Sequence, residues 1–187
     1  VYASYFFKKY DVDRFTMGVP VLNRTTQVEL NTIGLYMNLV PLVISIDSME
    51  SFFENAQEIE NSQINLFRHQ KFSQHDIKEL LKEEGKPQNN LFDITADYEE
   101  FEPNDNYFID ICYSNSLSVP LEIHFFNTND ENCKLKIRYR TSMFSEKEIQ
   151  TMVNSFIAII EDALENPDKK ISELEMISIE EKNKLLY

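Results

Sequence analysis

Imidazole and thiol are the side chains most readily turned to acid–base, nucleophilic or metal chemistry near neutral pH, and this chain carries them at His69, His75, His124, Cys112 and Cys133. No two of the histidines are adjacent and none has an Asp-Gly pair behind it. The cysteines form no CxxC, and no group of histidines, cysteines and carboxylates has the spacing of a metal site. Neither a disulfide framework nor a zinc site is indicated. With three glycines there is no Gly-rich loop to cradle a phosphate, so no bound metal or nucleotide is expected. His69 falls at the end of an expected helix, where an imidazolium complements the dipole. His124 alternates with apolar residues along an expected strand and reads as solvent-facing. The row Lys134, Lys136, Arg138 and Arg140 could receive a phosphate or an acidic partner, but on one face of a strand it reads first as solvated edge protection.

The elements that must position these residues belong to a chain of 187 residues and 22.1 kDa, which corresponds to about one domain. A domain of that size buries roughly 70% of the surface its unfolded chain exposes. At 42% hydrophobic, with 14 Phe and 9 Tyr, the chain is too apolar for disorder. Its formal charge of −14 argues against nucleic-acid binding. No apolar run approaches the roughly 18 residues of a membrane span, and no signal peptide opens the sequence. A soluble protein in a cytosolic setting is expected, with no membrane partner.

Both ends read as cuts through a longer polypeptide. The first ten residues look like the apolar end of an element, and Ser178 with Glu181 forms a capping box for a helix with no room to finish. Between them, 14–21 reads as a buried strand whose Gly18 and Pro20 place its far end at an edge or make it irregular. A polar turn over 23–26 leads to an extended stretch at 33–46, where Pro41 marks an edge or a bulge. Asp47 or Ser48 is expected to cap a helix reaching residue 70, with Met49, Phe52, Phe53, Ala56, Ile59, Gln63 and Phe67 on its packed stripe. Ser73 with Asp76 caps a second helix, ended by Gly85. Strands are expected at 92–98, 107–114, 119–127 and 133–140, with an acidic loop at 99–105 and a turn over 127–132. Ser145 with Glu148 caps a long helix closed by Asn166 and Pro167. Helices at 48–70, 74–84 and 146–165 packed on a mixed, mostly antiparallel sheet make an α/β fold.

The order Gly18-Val-Pro-Val-Leu-Asn-Arg24, then Ile33-Gly-Leu-Tyr-Met-Asn-Leu-Val-Pro-Leu42, then a long helix ending in His69-Gln70, resembles the C-terminal half of a nonribosomal peptide synthetase condensation domain. In that family the second stretch reads Ile-Gly-x-Phe-x-Asn-Thr-x-Pro-Leu. Here Ile33, Gly34, Asn38, Pro41 and Leu42 match, with Tyr36 for Phe and Leu39 for Thr. Lys86 to Asp93, Val119 to Ile123, Tyr139 to Phe144 and Asn166-Pro167-Asp168 continue the match in the same order. One departure is local: the family follows His-Gln with Asp-x-Pro-Phe-Glu, whereas this chain has Lys71-Phe72-Ser73-Gln74-His75.

The resemblance implies a chloramphenicol acetyltransferase-like lobe over residues 1–176, with 177–187 starting a linker toward an adenylation domain. It implies a second, N-terminal lobe as partner and a tunnel between the two. Upstream and downstream carrier proteins would reach into that tunnel with substrates on phosphopantetheine, with no cofactor bound directly. Gly34, Tyr36 and Asn38 would line the tunnel; Asn38 has two uses open to it, holding a substrate or pantetheine group or satisfying backbone groups nearby. Arg24 would serve lobe structure or the lobe interface. The family's catalytic His-His-x-x-x-Asp-Gly is missing from this sequence, so no catalytic residue is assigned and the lobe by itself is expected to be incomplete as an enzyme. The alternative is a non-catalytic module of the same fold that binds carrier proteins.

Overall fold

A computed structural model describes residues 1–87, 89–100, 116–127, 133–177 and 182. The elements are α1 (Tyr2–Tyr10), β1 (Arg14–Val21), α2 (Gln27–Leu30), β2 (Asn38–Ser45), α3 (Phe52–Arg68), α4 (Gln74–Glu83), β3 (Ile94–Glu100), β4 (Leu121–Asn127), β5 (Cys133–Tyr139) and α5 (Glu146–Glu165), followed by a 3-10 turn at Ile171–Glu173. The expectations for 107–114, 128–132, Cys112 and the Ser178–Glu181 box lie outside the described residues. The five strands form one mixed sheet in the order β2-β1-β3-β4-β5. β3 pairs in parallel with β1 and with β4, and β4 pairs antiparallel with β5.

Pro41 sits in edge strand β2, where its missing N–H costs least. β1, whose far end is expected from Gly18 and Pro20 to lie at an edge or to be irregular, is not an edge strand but interior, with Gly18 in register with Thr95 of β3. The glycine has another reason: a Cβ at residue 18 would lie 2.5 Å from the ring of Phe92, which is buried. The ring takes the place of a side chain.

The chain divides into two compact units. One comprises Val1–Phe15, Val43–Asn65 and Phe144–Tyr187. Its centre is aromatic: Tyr2 and Tyr5 of α1 meet Phe156 of α5 edge-on, with centroids 6.1 and 5.4 Å away, and Phe6 lies 5.0 Å from Phe15. Ile159 and Ile171 have no exposed surface. The segment after α5 is stitched down by backbone bonds from Ile171 to the Glu50 carbonyl (2.9 Å) and from Ser172 to that of Ser48 (3.1 Å). Asp162 receives the ammonium of Lys169 at 2.6 Å and the N–H of Glu175 at 2.7 Å.

In the same unit the cap of α3 is Ser51, not Asp47 or Ser48. The Ser51 hydroxyl accepts from the Glu54 N–H, and the Glu54 carboxylate accepts from the Ser51 N–H at 2.8 Å. Asp47 closes a local turn onto the Met49 N–H at 2.8 Å. The α3 stripe also differs from expectation. Asn55 is its buried residue, donating to the Asp47 and Ser51 carbonyls, while Phe53, Ala56 and Phe67 are exposed.

The other unit, Thr16–Leu42 with Leu66–Met143, holds most of the sheet together with α2 and α4. α4 carries the expected Ser73–Asp76 box, and Gly85 beyond its end takes a φ of 67°, the left-handed region that glycine enters freely.

Candidate functional site

The residues singled out in the sequence gather around the connection from β1 to β2. Asn23 leaves β1 with a φ of 55°, which turns the chain sharply, and its N–H donates to the Gln70 side-chain oxygen at 3.0 Å. Thr26 then caps α2 in a capping box with Glu29. This short helix was not expected, although Thr26-x-x-Glu29 is the signal that announces it.

Arg24 organises the loop beyond. Its guanidinium donates to the carbonyls of Glu29, Thr32 (2.6 Å) and Gly34 (2.8 Å), and its carbon lies 4.2 Å from the centroid of the Tyr36 ring. A planar five-donor cation can hold several carbonyls and stack at once, which an ammonium cannot. Arg24, Gly34 and Tyr36 are thus brought together, and Arg24 serves the structure of the loop. A Cβ at Gly34 would sit 3.2 Å from the Tyr36 ring.

Asn38 stands at the start of β2 and faces the turn after α3. Its Nδ2 donates to the carbonyls of Gln70 (3.0 Å) and Phe72 (2.9 Å), and its Oδ1 accepts the Leu39 N–H (2.9 Å). Both amide hydrogens are therefore engaged within the chain. Gln74 of α4 adds a bond to the Leu39 carbonyl at 3.2 Å.

A second connection runs from Glu29 of that capping box to a residue that no sequence motif marks. Lys71, in the turn where this chain departs from Asp-x-Pro-Phe-Glu, donates to the Asn23 carbonyl (3.1 Å) and to Glu29 (2.6 Å). Glu29 also accepts the N–H groups of Thr25 and Thr26 at 2.7 and 3.0 Å. The Lys71 ammonium, then these backbone donors, hold the Glu29 carboxyl down to about 2. The turn at 70–72 and the loop at 23–34 are consequently one cross-braced piece.

While its backbone is pinned, the loop shows its apolar side chains outward. Ile33 and Leu35 are fully exposed or nearly so, and Val28, Leu30 and Met37 are exposed as well. Such grouping of large apolar residues is unusual on a folded surface.

His69 lies just past α3, exposed, with its N–H on the Leu66 carbonyl at 2.9 Å. His124 does not face solvent as expected. Only 15% of its side chain is exposed, and its Nδ1 lies 2.8 Å from Asp97 on β3. Within the basic row, Arg138 is half-buried and pairs with Glu122 across the same face at 2.5 Å, while Lys134, Lys136 and Arg140 are exposed. Among the described residues no group of three His, Cys, Asp or Glu is placed to hold a metal ion, and no helix is long and apolar enough to cross a membrane.

The family model described as Condensation domain matches residues 4–186. The chain belongs to the condensation-domain family. Among the relatives of this condensation-domain chain, surfactin synthase subunit 1 of Bacillus subtilis (strain 168) is 29% identical over 190 residues, covering 98% of this chain and 5% of the relative. A plipastatin synthase of the same organism is 27% identical over 173 residues, covering 88% and 7%. In solved structures, the first condensation domain of the CDA synthetase superposes with a TM-score of 0.72 at 14% identity, over 95% of this chain and 40% of that one. A four-domain nonribosomal peptide synthetase bound to AMP and glycine gives 0.80 at 16% identity, over 95% and 15%. The condensation-domain chain therefore spans less than a tenth of these synthases and two fifths of that solved domain. The α/β fold expected from the sequence, a mixed sheet of the chloramphenicol acetyltransferase-like kind with its helices, is the fold observed.

Proposed function

We propose that residues 1–176 act as the C-terminal lobe of a peptide-bond-forming condensation domain, and that 177–187 begin the linker toward an adenylation domain. The observation that carries this reading is the braced loop at 23–37. Arg24, Glu29 and Lys71 fix its backbone while Val28, Ile33, Leu35 and Met37 remain uncovered. A rigid apolar edge of this kind suits packing against the N-terminal lobe and walling the tunnel between the two.

In that tunnel the amine of a downstream aminoacyl group attacks the thioester carbonyl of an upstream acyl group, both held on phosphopantetheine arms of carrier proteins. The C–N bond forms as the C–S bond breaks, and the thiolate leaves with a proton. The imidazole that manages the amine proton comes from the N-terminal lobe, because this sequence has no His-His-x-x-x-Asp-Gly. The contribution of this lobe is to hold the two reactants in place and keep water out. Gly34, Tyr36 and Asn38 line its wall; Asn38 acts by holding the 70–72 turn, its donors being engaged there. The reaction is cytoplasmic.

The test is peptide-bond formation between two loaded carrier proteins, with this chain alone and with this chain joined to its upstream polypeptide. Product in the joined sample and none from the chain alone supports the reading. Product from the chain alone overturns it. Carrier binding without product in either sample replaces it with a non-catalytic interaction module.

A further inference from the structure

Away from the 23–37 loop, one face of β3, β4 and β5 carries a run of charged side chains that condensation leaves unused. Asp97 of β3 is in parallel register with His124 of β4, and Glu122 of β4 is in antiparallel register with Arg138 of β5. These pairings place the charges directly across from one another, the positions where cross-strand side chains interact most strongly. Asp97 Oδ1 lies 2.8 Å from His124 Nδ1, Glu122 Oε2 lies 3.6 Å from His124 Nε2, and the same Glu122 oxygen lies 2.5 Å from Arg138 Nη1. None of the four side chains is more than 18% exposed. Phe126 stacks on the imidazole, with planes 14° apart.

Both flanking carboxylates favour the imidazolium: Asp97 lies within hydrogen-bond distance of Nδ1, and Glu122, 3.6 Å from Nε2, acts through its charge. The neutral ring donates from one nitrogen and turns a lone pair toward the carboxylate on the other. Among the described residues, the other charged groups on this face are Glu99 of β3, in register with Phe126, and Lys134 and Lys136 of β5, in register with Phe126 and His124, with Arg140 next in the row and bonded to the Leu117 and Ser118 carbonyls. With the lysines and arginines of this row balancing the carboxylates across the face, the imidazolium rests on its two nearest charges, Asp97 at 2.8 Å and Glu122 at 3.6 Å.

We propose that His124 is a proton-operated clamp across β3, β4 and β5. Charged, it ties Asp97 and Glu122 together and completes an alternating row ending in Arg138. Neutral, it loses the charge that strengthens its contact with Asp97 on β3, and the parallel β3–β4 pair loosens. The hydrogen bond to Asp97 holds the imidazolium above the usual histidine range, burial opposing and the nearby Glu122 adding to the effect. The folded group binds its proton more tightly than the unfolded one. Its stabilisation is therefore complete below the ordinary value of 6.5 and is lost as pH rises through the folded value. The clamp stands independently of the condensation reading.

The experiment is thermal unfolding of the chain from pH 5.5 to 9, with amide-exchange protection of β3 and β4 followed over the same range. The unfolding temperature should fall by about 2–4 °C as pH climbs past the histidine range, the shift that corresponds to a single ion-pair-sized change in a domain of this length. β3 and β4 should lose protection together. In His124→Gln the fall should disappear, while His69→Gln and His75→Gln should keep it. A slope unchanged in His124→Gln, or stability that rises through this window, overturns the proposal. Should His124→Gln not fold, titration of the His124 ring proton by NMR in the unaltered chain decides: a midpoint above 6.5 supports the clamp, and one at or below it overturns it.

Discussion

The side chain of Asn38 reaches the carbonyl oxygen of Phe72, 34 positions along the chain, at 2.9 Å. Through that bond and its twin to Gln70, the beginning of an edge strand fixes the turn between two helices. Asn38→Ala leaves both carbonyls without this donor and should cost about 1–2 kcal/mol. Urea unfolding measures it. Asn38→Asp should cost at least as much, because a carboxylate placed against two carbonyls repels them; a loss confined to the alanine variant would show that the contact is not a donated bond.

Arg24→Lys tests whether geometry or charge holds the loop. A lysine keeps the charge but cannot reach the Thr32 and Gly34 carbonyls and stack on Tyr36 together. Stability should fall by about 1–2 kcal/mol, and amide exchange should accelerate across 28–36 before it does elsewhere. In the condensation assay with the upstream polypeptide, turnover should drop while the sheet stays protected.

Glu29 gives an acid-side signature. Its carboxyl is lowered from the ordinary 4.5 to about 2, so its contribution is present above 4.5 and is lost as pH falls from there through 2. Lys71→Met removes the largest cause of that lowering. The variant should unfold with a shallower dependence on pH over this window than the unaltered chain, as read by circular dichroism across an acid titration.

Gly18→Ala should destabilise by about 1–3 kcal/mol, because the new methyl must displace the Phe92 ring. Adding Phe92→Leu to the alanine variant should recover part of the loss, a coupling that a double-mutant cycle measures directly. Independent, additive losses would show that ring and glycine do not share the space.

In the helical unit, Ile159→Ala should cost about 2–5 kcal/mol, since the side chain is fully enclosed and its removal leaves a cavity. Denaturant unfolding at constant slope would report it. Leu164, exposed on the same helix, should tolerate alanine within about 0.5 kcal/mol.

Local features were legible in the sequence because their causes are local. Ser73 with Asp76 and Ser145 with Glu148 satisfy helix-end N–H groups within four residues, and both boxes form as read. β1 runs over the expected 14–21, and the alternation in β5 marks its span to within a residue. The collinear match around Arg24 and Asn38 was enough to point to the family. Where three candidate caps stand close together, as with Asp47, Ser48 and Ser51, the pattern did not choose; in the fold Ser51 closes the box with Glu54 while the Asp47 N–H is taken by Asn55.

What the chain alone could not reveal depends on partners distant in sequence. His124 looked solvent-facing because alternation tells which residues share a face, not whether an aspartate from another strand covers it; the β3–β4 register decided that. By itself Gly18 signals an edge or an irregular strand end; the close approach of the Phe92 ring and the place of β1 inside the sheet follow from tertiary contacts, which no local pattern encodes. Lys71 read only as a departure from a motif until the fold carried it 42 positions back to Glu29. The sequence determines caps, periods and family, because these rest on neighbours a few residues apart. Charge pairing and strand order rest on contacts made only when the chain closes on itself.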